Sequence, residues 1–226
     1  MYVKRDMLKK TNSVFLGTFL WMFFGLLTTA ITAVFLQTHG FVNSVLSNSL
    51  LFKIILFAQL ILMFVFSFAF KKLNTSAITS MFFAYSVMNG VTISIVLSIY
   101  RISSILSVLS GTTGLFLLLA VYGYLTKKDI SSWHSIFFVG LIAVIISSFI
   151  NIFLKSTGFE ILISAISLLI FCGFTIYDID RIKQTELFNT LKNENIARAR
   201  IYFAMSLYLD FIGIFLNLLS ITGKKK

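Results

Sequence analysis

The sequence predicts an all-α membrane protein with seven transmembrane helices. Three observations carry the prediction. Of 226 residues, 58% are hydrophobic and only 12% are charged, whereas a soluble domain is about half apolar and about a quarter charged. The apolar residues fall into seven runs close to the roughly 20 residues that cross a bilayer as a helix. The runs are continuous rather than alternating, and helices or closed barrels are the only structures that satisfy every backbone group in hydrocarbon. The mean hydropathy of +0.95 agrees.

The runs are Val14–Leu36, Leu51–Phe70, Ala77–Tyr100, Ile105–Leu125, Trp133–Phe153, Phe159–Tyr177 and Ile201–Ile221. Short connections join all but the last pair, so residues 1–226 read as a single integral membrane domain. Pro is absent, and the helices should lack proline kinks. Asn195 is the expected N-cap of the last helix. No cleavable signal peptide is apparent: the apolar run after the basic N-terminus is too long for one.

The net charge of +11 is read as topology rather than nucleic-acid binding. With the N-terminus cytoplasmic, the outer segments hold Lys53, Arg101, Lys155, Lys224, Lys225 and Lys226, and the other 13 of 19 basic residues lie inside. That bias follows the positive-inside rule and suits a bacterial inner membrane. The terminal lysines oppose it. Either the tail stays outside after a full seventh span, which the length of Ile201–Ile221 favours, or the last segment is re-entrant.

The single cysteine, Cys172, excludes an internal disulfide and is read as a packing residue. His39 falls in an outer loop and His134 at the start of the fifth run. No metal cluster, nucleophilic triad or phosphate loop is visible, so no enzyme and no organic cofactor is expected. Gly111 and Gly114 are expected to admit a close helix neighbour. The third run is unusually polar from Tyr85 to Ser94. Asn89 and Ser94 could line a path, although Asn, Ser and Thr in such helices more often bond to a neighbouring helix.

The acidic residues are informative because there are only eight. Asp210 lies about nine residues, or roughly 13 Å, into the last run. An ionised carboxylate at that depth costs on the order of 3 kcal/mol or more, so it should be paired, protonated or wet. Asp178 is the expected partner. The sixth and seventh runs should form an antiparallel hairpin turning within Asn189–Asn195, and Asp178 and Asp210 are equidistant from residue 194. They should sit level; which way each faces does not follow from spacing. Two carboxylates in a low dielectric resist being charged together and titrate as one unit, so the pair can exchange a proton for a cation. Calcium takes oxygen ligands, and two carboxylates alone make a weak site suited to permeation. The alternative is a hydrogen-bonded pair that fixes packing. Asp180 is expected at the headgroup surface beside Arg181 and Lys183, and Glu160 at the outer edge of the sixth run.

The chain resembles the Bax inhibitor family over nearly its whole length. The resemblance lies in Phe15-Leu-Gly-Thr-Phe-Leu-Trp-Met-Phe-Phe-Gly-Leu-Leu-Thr-Thr-Ala30 and Asn89-Gly-Val-Thr-Ile-Ser94. It is most specific in Ile176-Tyr-Asp-Ile-Asp-Arg-Ile-Lys183 and Leu207-Tyr-Leu-Asp-Phe-Ile-Gly-Ile-Phe-Leu-Asn217. It implies a seven-helix bundle with a central seventh helix, and a pH-sensitive calcium leak gated by an aspartate dyad, here Asp178 and Asp210. Some members latch the dyad with an Arg at the cytoplasmic end of the second helix; Lys72 stands nearest that place and lacks the bidentate fork of Arg. The resemblance also implies a rival role, in which the protein binds other membrane proteins such as a protease or a stress or cell-death factor and transports nothing. The expected partners are the lipid bilayer, calcium, protons and such proteins, with no nucleic acid. A proton-coupled transporter is a third reading, but the broken helices or internal repeat it would need are not seen.

Overall fold

The computed structural model describes residues 2–42, 49–69, 73–127, 130, 132–187 and 193–226. Seven helices follow in order among them: α1 (Tyr2–Thr38), α2 (Ser49–Ala69), α3 (Thr75–Ile99), α4 (Ile102–Leu125), α5 (Trp133–Leu154), α6 (Thr157–Leu187) and α7 (Asn193–Thr222). The fold is all-α. Six of the helices are long and apolar enough to cross a membrane, at Val14–Thr38, Thr75–Ile99, Ile102–Leu125, Trp133–Leu154, Thr157–Thr185 and Ile196–Thr222. The expected second span falls on α2, whose described apolar stretch, Phe57–Phe68, is shorter.

The ends of the helices show how local chemistry sets them. Asn74 caps α3, its side-chain oxygen accepting from the Ala77 N–H at 2.9 Å, which satisfies an amide that the helix leaves without a partner. Lys155 ends α5 in the left-handed region at φ 50°, with its N–H on Asn151 O at 2.8 Å. The last two helices overrun their hydrophobic runs. α6 continues ten residues past Tyr177, and α7 starts at Asn193. Asn195 is therefore inside the first turn of α7 rather than at its cap.

Apolar side chains cover the outside of the protein. No residue of α5 is buried, and Phe153 is 85% exposed. A soluble monomer rarely exposes a contiguous apolar surface of this extent, so hydrocarbon is its solvent. The protein is a multi-pass integral membrane protein. α7 is the most buried of the six spans, with 56% of its apolar stretch inside.

The chain divides into two compact units. One comprises Met1–Arg101, Asn189–Met205 and Lys225–Lys226, the other Ile102–Phe188 and Ser206–Lys224. In the first, α3 packs against α1 and α2, and its polar residues bond across helices. Thr29 Oγ1 donates to Ser86 O at 3.0 Å, and Ser98 Oγ to Gln37 Oε1 at 2.9 Å. Gln59 of α2 accepts from Thr92 Oγ1 at 3.0 Å and donates to the Tyr85 hydroxyl at 3.3 Å. Gly90 lets α1 approach: a methyl there would meet Thr29 O at 2.9 Å. The main-chain N–H and the ammonium of Lys226 donate to Ile99 O and Leu97 O, both at 2.9 Å.

In the second unit, α6 packs against α4 and α5. Phe116 and Phe211 meet edge to face at 5.5 Å. The expectation for Gly111 and Gly114 is not met, because a methyl at either would have open space around it among the described residues. Gly123 has that role instead. A methyl on it would lie 2.8 Å from Ile176 O and 3.1 Å from Ile179 Cβ, so α4 and α6 meet there with no room for a side chain. Lys224 N donates to Ser104 Oγ at 3.0 Å. α7 is one unbroken helix as far as Thr222.

The two kinds of glycine on α4 should separate in a stability measurement. Gly123→Ala should lower the thermal midpoint in detergent, as overpacking of about 1–3 kcal/mol. Gly111→Ala should leave it unchanged or raise it, since Ala gains up to about 1 kcal/mol over Gly in a helix.

Candidate functional site

The acids of the last hairpin lie in the second unit, where α6 meets the Ser206–Lys224 part of α7. The contacts fix the register. Ser164 Oγ donates to Ser220 Oγ at 3.0 Å, the Phe171 ring lies over Gly213, and the Ser206 hydroxyl donates to the Asp178 carboxylate. Each of these pairs is centred on position 192, not 194. Asp178 therefore faces Ser206, and Asp210 lies one turn, about 6 Å, further along α7. The acids share the seam but are staggered rather than level. They still act on each other electrostatically.

Both carboxylates are withdrawn from solvent, with Asp178 7% and Asp210 4% exposed. Asp178 has the Ser206 hydroxyl and, one turn further along α6, the Arg181 guanidinium acting on its charge. Asp210 is differently placed. Its Oδ2 is buried and finds no hydrogen-bond partner among the described residues. A buried polar atom of that kind needs a reason, and a carboxylate oxygen held in this way can take up a proton or a cation. No three His, Cys, Asp or Glu side chains converge among the described residues. A cation in the seam would meet two carboxylates and a hydroxyl, an incomplete shell compared with the six to eight oxygens calcium prefers.

Asp180 departs from expectation. It is 5% exposed rather than at the headgroup surface. Gln184 Nε2 donates to its Oδ2 at 2.6 Å, and Lys183 Nζ lies 3.5 Å from its Oδ1. The same ammonium donates to Thr126 O at 2.6 Å, just past the end of α4, where the helix carries partial negative charge. Asp180, Lys183 and Thr126 thus fasten α6 to the end of α4. Asp180 can be buried because it is supplied with partners.

The other named candidates lie elsewhere. Asn89 and Ser94 are buried in the first unit, and Ser94 Oγ donates to Val91 O of its own helix at 2.6 Å. Lys72 lies outside the described residues. Cys172 is half-buried and feels the Asp210 charge. His134 packs on Tyr177, with ring centres 5.1 Å apart. Sequence reasoning overlooked Ser206 and Arg181. Ser206 sits one turn before Asp210 on the same face, so its spacing was the available signal.

A family model for inhibitors of apoptosis-promoting Bax1 matches residues 11–226, nearly the whole chain. The chain belongs to the Bax inhibitor family. Among similar proteins is the inner membrane protein YbhL of Escherichia coli, 35% identical over 208 residues, covering 91% of this chain and 89% of YbhL. A Borreliella burgdorferi protein is 34% identical over 224 residues, covering 99% of this chain and 96% of its own. A Streptococcus pyogenes membrane protein is 36% identical over 167 residues, covering 74% and 71%. In this Bax inhibitor family member the two segments that carry the resemblance lie on facing helices, with Asp178 on α6 and Asp210 on α7.

The Asp180 fastening is open to a direct test. Lys183→Met should lower the thermal midpoint in detergent, corresponding to a loss of about 1–3 kcal/mol for hydrogen bonds involving a charged group. An unchanged midpoint would show that the Lys183 contacts contribute nothing to α4–α6 packing.

Proposed function

We propose that this Bax inhibitor family protein is a pH-sensitive calcium leak in a bacterial inner membrane, with Asp178 and Asp210 as the acids at which protons and calcium compete. The observation that carries the reading is the pairing itself: two solvent-excluded carboxylates in one interhelical seam, one of them with an oxygen left over. Intramembrane acids are expensive to keep and mark ion and proton paths. In this reading the chain is a single membrane domain of seven spans, α2 included, with α7 at its centre and the N-terminus cytoplasmic. The E. coli relative YbhL is named an inner membrane protein, which supports the location.

The mechanism follows from charge. A protonated pair offers a cation little attraction, and the seam stays closed. When the protons leave, two negative charges share one seam of low dielectric. That arrangement is unfavourable, and it is relieved by a divalent cation or by the helices moving apart. Arg181 weakens the repulsion on the Asp178 side, so the imbalance falls mainly on Asp210. Conduction should therefore rise with pH. A shell of two carboxylates and a hydroxyl binds calcium too weakly to trap it, as passage requires.

The test is calcium flux in proteoliposomes as a function of pH, since coupled acids titrate as one pair. Wild-type flux should rise with pH. Asp178→Asn and Asp210→Asn should each flatten that rise and change flux by about tenfold, the equivalent of ~1.4 kcal/mol of cation attraction. Wild-type flux and pH response in both variants would remove the pair from the mechanism. A protein that passes no calcium but still captures a membrane protease would favour the regulator instead.

A further inference from the structure

A cleft of about 340 Å³ lies in the second unit, lined among others by Asn151, Glu160, Ser164, Ser167, Asn217 and Ser220. Its lining is rich in oxygen and carries one carboxylate. It lies among helices whose outward faces are apolar. Ionisable side chains within membrane-spanning helices face the bundle interior or a water-filled cavity.

The cleft is in register with the dyad. On α7, Asn217 is seven residues from Asp210, close to two full turns and about 10 Å along the same face. On α6, Glu160, Ser164, Ser167, Phe171, Thr175 and Asp178 recur at spacings of three and four, one stripe of a helix. One stripe therefore runs from the cleft to the acids on each helix, and a single level on both is apolar. At that level the Phe171 ring lies over Gly213, so closely that a methyl on Gly213 would come within 2.7 Å of the ring. Gly213 O takes the Asn217 side-chain N–H at 2.7 Å, which ties a lining residue of the cleft to the residue the ring covers.

We infer that Phe171, lying on Gly213, is the apolar barrier of the ion path, and that the cleft around Glu160 and Asn217 is the path's outer mouth. This rests on the leak reading and adds its route and its gate. Water and cations fill an oxygen-lined cleft readily. A level closed by an aromatic ring against bare backbone excludes both, and such constrictions gate by dewetting. Glu160 holds a negative charge at the entrance, which raises the local cation concentration. Phe171 lies in the same seam as the acids, so a change in their charge that moves α6 against α7 also moves the ring. The ring side chain can swing without breaking a backbone hydrogen bond.

The barrier can be tested without measuring any ion. In a Cys172→Ser background, single cysteines are placed at Asn217, in the cleft, and at Ser206, beyond the ring. Spheroplasts carrying the full-length protein are treated with a membrane-impermeant trimethylammonium methanethiosulfonate. Asn217→Cys should react at least about tenfold faster than Ser206→Cys, and Phe171→Ala should speed Ser206→Cys at least about tenfold while leaving Asn217→Cys within about twofold. That last rate also reports that the variant is folded. Phe171→Leu, a milder truncation, should give an intermediate rise. The inference is overturned if Asn217→Cys does not react, if Ser206→Cys reacts as fast with Phe171 intact, or if neither Phe171 variant changes its rate. Calcium flux measured on the Cys172→Ser parent, with Ser206 and Asn217 intact, separates the two readings. The expected labelling with no calcium flux would leave the barrier standing and overturn the leak.

Discussion

An ionised carboxylate in hydrocarbon costs on the order of 3 kcal/mol or more, and α6 and α7 carry two acids into one seam. The rest of the second unit is arranged around that burden. Ser206 hydrogen-bonds one acid, and Arg181 acts on its charge. The other keeps an oxygen with no partner among the described residues. A seam that served packing alone would be better filled by apolar side chains of similar volume, since replacing buried charges in that way is often neutral or stabilising. In the proposed leak, the asymmetry between the two acids gives the seam two states of charge, with a proton or a cation deciding which is favoured.

Elsewhere polar groups hold helices together. Hydroxyls of α3 bond to the amides of Gln37 on α1 and Gln59 on α2, and Thr29 of α1 donates to a backbone carbonyl of α3. In a bilayer the hydrophobic effect gives helices no reason to associate, and close packing with interhelical hydrogen bonds takes its place. Lys183 ties α6 to the end of α4, and Gly123 brings those helices together. The seam thus lies within a unit whose neighbouring contacts are tight.

How much of this was legible in the sequence depends on what each signal measures. Hydropathy located the apolar runs, because lipid contact selects residue by residue. It misjudged the ends of α6 and α7, since a helix continues for as long as its backbone bonds do, and residues 178–187 are polar without ceasing to be helical. It also placed Asp180 at the surface, because composition does not reveal that Gln184 and Lys183 bury it. That Asp178 and Asp210 lie in one seam between α6 and α7 was legible from spacing about the turn. The stagger was not, because a displacement of two residues in the centre of the hairpin leaves the composition untouched. Glycines show the same limit. Gly111, Gly114 and Gly123 look alike in sequence, and only packing shows which one a neighbour touches. Family membership was legible because Ile176–Lys183 and Leu207–Asn217 each set acids among apolar neighbours in a pattern that resembles the family's.

Competition between proton and cation at one pair of buried acids is the claim on which the functional account stands. Infrared difference spectroscopy of the purified protein in lipid, following the protonated-carboxyl stretch while calcium is added at constant pH, observes it directly. The account predicts that calcium removes that band, that protons appear in the medium in proportion, and that both changes vanish in Asp210→Asn. A band that calcium leaves untouched, or one that responds equally in Asp210→Asn, would contradict it.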